Sequence, residues 1–267
     1  VYDACGAAGE RDMGLFTLTA PTGVGKTMAM LHFALRHCVR HKLRRIIVVL
    51  PFLTLAEQTE KEYQNVFSEI LVDHSQRDLP KEARELAARW DSPVIITTSV
   101  RFFESLFSAN PRACRKLHNI ANSVVLFDEA QSLPASLARP TVAAVSALCK
   151  KYRCTMVFST ATQPDFSALS AQKWDPEEIL PDNARFFREM RRVNTKWLGD
   201  ASLEQVAEQM SRETNVCCIV NLRRHARKLF LLLRELSGMD DGLFFLTTDL
   251  CPAHRLAVVQ EIKRRQA

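Results

Sequence analysis

Eight residues, Ala20 to Thr27, constrain this chain more than any others because of what flanks them. They read APTGVGKT, directly after the apolar run Leu15–Thr19 and at the head of an amphipathic stretch, Lys26–His41. A strand, a glycine turn and a helix in that order form the context of a phosphate-binding loop. Gly23 and Gly25 allow backbone torsions closed to other residues, so the amides of Thr22, Gly23, Val24 and Gly25 can converge on phosphate oxygens. The helix adds unpaired amides and the positive end of its dipole. Lys26 is the candidate to reach the outer phosphates, and the Thr27 hydroxyl the candidate magnesium ligand. Ala20 stands where the strictest form of the motif has glycine.

A loop of this kind implies a parallel α/β sheet, and the rest of the chain agrees. Short apolar runs at Arg45–Leu50, Val94–Thr97, Val124–Phe127 and Thr155–Ser159 alternate with stretches of helical length. Their near-continuous apolar character suits strands covered on both faces by helices. On the first helix, Met28, Leu31, Leu35, Cys38 and Val39 recur at three- and four-residue spacing and mark the expected buried face. From Gln163 to about Asp200, prolines and charges replace periodicity. Residues 1–165 are therefore read as a first nucleotide-binding lobe and 166–200 as a connection. Residues 201–267 are read as part of a second α/β lobe, with strands at Val216–Val220 and Gly242–Leu246.

Hydrolysis of a triphosphate needs a second set of groups, and the segment Ser123–Gln131, SVVLFDEAQ, delivers them at the end of an apolar strand. Asp128 is the candidate to hold magnesium through its water shell, and Glu129 to orient and polarise an attacking water. Gln131 is a candidate sensor of the γ-phosphate or of an adjacent domain. Ser159, Thr160, Ala161 and Thr162 follow another apolar strand, and their hydroxyls are candidates to bond Asp128 or Glu129 and relay the nucleotide state. The expected arrangement brings the glycine turn and the two acids together at neighbouring strand tips.

The eight cysteines form no C-x-x-C pair and no zinc-spaced cluster, so reduced, packed thiols are expected. Apolar runs such as Ile46–Leu50 fall well short of the roughly 18 residues of a membrane span. Val1–Arg11 lacks a basic-then-apolar leader, and the expectation is a soluble, cytoplasmic protein without membrane contact. A formal net charge of +6 suits a polyanionic partner without specifying one.

The three site segments, in this order, are similar to motifs I, II and III of superfamily two helicases. The stretches VVLPFLTLAEQT, TTSVRFFESLFSANPRACRKLHNIANSVVLFDEAQSLP, STATQP and VCCIVNLRRHARKLF resemble the helicase part of the CRISPR-associated helicase-nuclease of type I systems. That resemblance implies two RecA-like lobes, ATP and magnesium, and movement along single-stranded DNA. It also implies recruitment by the RNA-guided surveillance complex and an HD nuclease domain in the full-length protein. Carried over by position, Pro51, Thr54 and Gln58 fall in motif Ia, and Thr97, Thr98 and Ser99 in motif Ib, all as nucleic-acid contacts. Asn221, Arg223 and Arg224 lie just past the motif IV strand, facing DNA, the cleft or solvent. Phe102 and Phe103 suit base stacking less well than burial of a helix face.

The chain contains no His-Asp dipeptide, so no nuclease activity is expected from it. Motifs V and VI, with their arginine finger, are expected beyond Ala267, and this stretch alone should bind ATP yet hydrolyse it slowly. A helicase acting on RNA or repair DNA, and an ATP-gated clamp that unwinds nothing, remain alternative readings.

Overall fold

The computed structural model describes residues 1–74, 81–166, 174–238 and 242–266. The chain divides into two compact units, Val1–Arg192 and Val193–Ala267. In the first, α1 (Tyr2–Ala8) precedes β1 (Leu15–Thr19), α2 (Lys26–His41), β2 (Arg45–Leu50), α3 (Leu53–Tyr63) and β3 (Leu71–Asp73). Then come α4 (Lys81–Arg89), β4 (Val94–Thr98), α5 (Ser99–Phe107), the single turns α6 (Pro111–Cys114) and α7 (Leu117–Ile120), and β5 (Ser123–Asp128). α8 (Ala138–Lys151), β6 (Thr155–Thr160), β7 (Glu177–Glu178) and α9 (Asn183–Glu189) complete the unit.

The seven strands form one parallel sheet in the order β3-β4-β2-β5-β6-β1-β7, with helices on both faces, a RecA-like α/β fold. All five strands expected for this unit are present. β3 and β7, three and two residues long, carry too little periodicity to be read from sequence. Both β7 and α9 fall in the stretch 166–200 that sequence texture assigns to a connection, and both belong to the first unit.

Strand parity sorts the core into two layers. Phe16, Leu18, Val48, Val124, Leu126 and Val157 face α1, α2 and α3. Their alternates Ile47, Val49, Val125, Phe127, Met156 and Phe158 meet the aromatic layer built on α5 and Trp90. Phe102 and Phe103 lie in that layer at 0% and 7% exposure, so they bury a helix face.

The buried stripe of α2 differs from the expected one. Ala29, Met30, Leu31, Phe33, Ala34 and His37 are buried, whereas Met28, Leu35 and Val39 are exposed. Leu31 and Cys38 of the expected face do pack on the core, and the rest of the stripe shifts because small alanines let α2 approach the sheet and because His37 finds partners for both ring nitrogens. Its Nδ1–H donates to the Gly9 carbonyl at 3.0 Å, and Nε2 accepts from the Thr155 hydroxyl at 2.8 Å. That hydroxyl oxygen in turn receives the Gly14 amide. Burial pushes His37 down to about 4 from its ordinary 6.5, so it is neutral near pH 7.

The second unit contains α10 (Leu203–Ser211), α11 (Arg223–Ser237) and α12 (Pro252–Gln266). Ser202 and Gln205 form a reciprocal capping box on α10, and Ala207, Leu229 and Leu233 make the α10–α11 core. Among the described residues the two strands expected here are absent: Val216–Val220 and Gly242–Leu246 enter no ladder. Cys218 and Leu243 pack on the helices while Ile219 is 90% exposed, so one side of each segment is covered and the strand pairing that defines a sheet is missing. Among the described residues no helix is long and apolar enough to cross a membrane.

Candidate nucleotide-binding site

β1, β6 and β5 lie side by side, and their carboxyl ends carry the three segments singled out in the sequence. Leu18 is level with Ser159, which is level with Asp128, and Thr19 is level with Thr160. The glycine turn and the acids therefore share one end of the sheet. They do not sit on neighbouring strands, because β6 stands between them, which separates β1 from β5 by about 10 Å at ordinary strand spacing. Motif III occupies that gap.

Gly23 and Gly25 both have positive φ, 82° and 77°, and a Cβ at either would meet nothing within 4 Å. The demand for glycine is conformational, and the space above the turn is open. Gly25 is the N-cap of the sixteen-residue α2, and no side chain caps the amides of its first turn. An uncapped helix start facing open space suits an oxyanion. Lys26 is buried at 8% exposure, and its Nζ donates to the carbonyls of Ala20 at 3.0 Å and Pro21 at 3.4 Å. Phosphate oxygens would have to replace those carbonyls. Thr22 is exposed and Val24 half-buried on the same turn, with Thr27 half-buried beside them.

Burial pushes the Asp128 carboxyl above its ordinary value, while the Glu129 amide it accepts at 3.0 Å and the charge of Lys26 pull the other way. The Lys26 charge is thus felt at Asp128 across the site. Glu129 has φ 53°, in the left-handed region. Lys42, Trp90, Asn122 and Arg153 share that conformation, and each ends a helix that turns into a strand. Glu129 instead follows a strand, where strain is held beside the proposed chemistry.

Ser159 acts on Asp128 as expected, while the link to Glu129 runs through Gln131. Gln131 Nε2 donates to Glu129 at 2.6 Å, and the Thr160 hydroxyl donates to the Gln131 oxygen. Thr160 thus reaches the acid through Gln131 rather than directly. Ser159, level with Asp128 in the ladder, is fully buried, and its hydroxyl helps to hold the Asp128 carboxyl down against the effect of burial. Ala161 is half-buried and Thr162 exposed, and the Thr162 amide donates to Thr160 Oγ1. Beneath these segments Phe127 and Phe158 stack at 4.6 Å with a 7° interplanar angle.

Tyr63 was not singled out in the sequence. It is fully buried at the end of α3, its hydroxyl donates to the Thr27 carbonyl at 3.5 Å, and the Asp128 charge helps to raise its ionisation, after burial. Nothing in residue spacing marks it.

The motif Ia and Ib positions separate into two kinds. Pro51, Thr54, Thr98 and Ser99 lie at the same end of the sheet, and a cleft of about 260 Å³ is lined by Pro51, Leu53, Thr98, Val100, Arg101 and Glu104. Thr97 is fully buried and its hydroxyl donates to the Asp73 carbonyl, so its side chain is unavailable to a ligand. Gln58 is exposed and bonded to Glu62 one turn on. In the second unit Asn221 is exposed, and Arg223 pairs with Asp249.

Comparison with known proteins bears on this arrangement. The model of the DEAD/DEAH box helicase family matches residues 7–169. The structure is similar to that of T. fusca Cas3 bound to ADP, with TM-score 0.66 and 17% identity over 97% of this chain and 37% of that one. It is also similar to the Pyrococcus furiosus Hef helicase domain, with TM-score 0.50 and 15% identity over 90% of this chain and 54% of that one. At those identities the likeness is one of fold, and the chain spans only part of each. No curated protein gives a significant match.

Proposed function

Because this chain belongs to the DEAD/DEAH box helicase family, we propose that it is an ATP-hydrolysing motor that moves along single-stranded DNA. The observation that carries the reading is the row Leu18, Ser159 and Asp128, which sets the glycine turn and the acids at one end of the sheet. The residues present fit a magnesium-bound triphosphate. The uncapped first turn of α2 offers amides to phosphate, and Lys26 offers a buried ammonium. Thr27 and Asp128 supply the hard oxygen donors that magnesium takes. When bound, magnesium would neutralise charge on the transferring phosphoryl group.

In this reading Lys26 exchanges the Ala20 and Pro21 carbonyls for phosphate oxygens. Glu129 takes a proton from the attacking water, and its orientation is held by Gln131. Through Thr160, the same glutamine carries any shift of the acid into the segment leading away from β6. Pro51, Thr54, Thr98 and Ser99 would contact the DNA backbone, while Asn221 and Arg223 would add contacts from the second unit.

The finer proposal is a motor of type I CRISPR interference, recruited by an RNA-guided surveillance complex and working with an HD nuclease domain of the full-length protein. It rests on the particular sequence from Phe102 to Pro134 and on the motif IV resemblance. The test is ATP turnover of the full-length protein with single-stranded DNA, with duplex RNA and without nucleic acid. Stimulation by single-stranded DNA alone supports the reading. Stimulation by RNA alone, or turnover indifferent to both, contradicts it.

A further inference from the structure

β7 and the carboxylate it carries are absorbed by none of the three site segments. β7 pairs with the free edge of β1, Thr17 level with Glu178, and the Ile179 amide donates to the Thr17 carbonyl at 2.8 Å. The ladder ends there, two residues short of the end of β1. Without a further rung, the Thr19 amide would be orphaned at the edge, one residue before the glycine turn segment.

The Glu178 side chain supplies the missing rung. Its Oε1 accepts the Thr19 amide at 3.1 Å and the Leu180 amide at 3.0 Å, and its Oε2 accepts the Thr19 hydroxyl at 2.6 Å. Arg11 fastens the same strand from outside, bonding the Glu178 carbonyl at 3.3 Å and pairing with Glu177 at 3.0 Å. Ile179 and Leu180 are buried in the layer that also holds Leu18 and Ala20. On the opposite side, the Ala20 amide donates to the Thr160 carbonyl at 3.2 Å. The end of β1 is thus gripped from two sides by consecutive strands, β6 and β7.

We propose that Glu178 is a positioning residue for the phosphate loop, fixing the height at which the chain leaves β1 and therefore where the amides of Thr22 to Gly25 and the Lys26 ammonium stand. The proposal rests on the nucleotide-site reading above. It explains the choice of residue: all three partners are donors, and an ionised carboxylate is an acceptor only. Glutamine can reproduce the set, with its oxygen taking both amides and its NH2 donating to a reoriented Thr19 hydroxyl, whereas alanine reproduces none of it. Geometry, not charge, is then what the loop requires, since a negative charge beside a phosphate site does not itself aid binding.

The experiment measures the affinity of the full chain for ADP with magnesium, and for a fluorescent ATP analogue, well below each variant's melting temperature. E178A is expected to weaken both on the order of tenfold, the effect of losing charge-assisted bonds that set the loop, while E178Q stays within about threefold of the parent. T19V keeps the side-chain volume, loses only the hydroxyl bond, and should weaken binding by about threefold. Combined with E178A, it should add little, because the two act through one contact. K26A serves as the reference for the site itself. If K26A binds nucleotide like the parent, the site reading fails, whatever Glu178 does. If K26A loses binding while T19V and E178A bind normally, even with lowered melting temperatures, the positioning role is overturned. Should E178A not fold, equal binding by T19V and the parent overturns it as well.

Discussion

Gln131 bridges Glu129 and Thr160, giving its amide hydrogen to the first at 2.6 Å and receiving the hydroxyl of the second. The side chain thereby holds the carboxylate proposed to activate water and connects it with the strand lying between the two halves of the site. Q131A should lower DNA-stimulated ATP turnover by about tenfold or more, with little change in the KM for ATP, because ground-state binding does not use the bridge. Q131E should be at least as impaired, since it opposes two carboxylates. A rise in KM at constant kcat would mean that Gln131 serves binding instead.

His37 gives the fold a built-in pH dependence. Its folded value lies near 4 against an unfolded 6.5, so the unfolded chain takes up the proton first as pH falls. The stability it contributes is present in full above about pH 6.5, declines below that, and is exhausted near pH 4. The loss is about 3 kcal/mol in total. Urea unfolding of the parent and H37Q between pH 7.5 and 4.5 checks this, the expected result being a flatter profile for H37Q. Parallel profiles would assign the acid sensitivity elsewhere.

Asp73 and Lys116 form a buried pair at 2.5 Å, each about a tenth exposed, with Trp90 Nε1 donating to the same carboxylate at 2.8 Å. Lys116 also lies 4.8 Å from the Trp90 ring centre. Removing one partner strands a buried charge, so K116M should cost about 3–5 kcal/mol. The double variant D73N/K116M should recover a substantial part of that, since no charge is then left unpaired. Chemical denaturation of the three proteins decides it, and additive losses would show that the pair is not coupled.

Much of this was legible in the sequence because the chemistry is local. APTGVGKT follows a strand whose three central residues are buried, SVVLFDEAQ opens with five buried strand residues, and apolar runs of this length report such strands well. What escaped notice depends on partners distant in the chain. Glu178 matters because of Thr19, 159 residues away, and Tyr63 because of Thr27, at 36. The buried face of α2 is only partly legible, because hydrophobic spacing finds Leu31 but counts Leu35 and Val39 as core and ignores alanine and a satisfied histidine. The runs Val216–Val220 and Gly242–Leu246 read as strands by composition, but composition does not supply a neighbouring strand.

The most direct test of one shared nucleotide site is the magnesium dependence of binding by a fluorescent ATP analogue, in the parent, K26A, D128N and the double variant. Magnesium should raise the parent's affinity by about tenfold or more and lose that effect in D128N. The combined substitution should cost less than the product of the single losses. The gain from magnesium should also fade as pH drops, because burial makes Asp128 take up a proton earlier than an ordinary aspartate. Binding indifferent to magnesium, or fully independent losses from Lys26 and Asp128, would contradict the account.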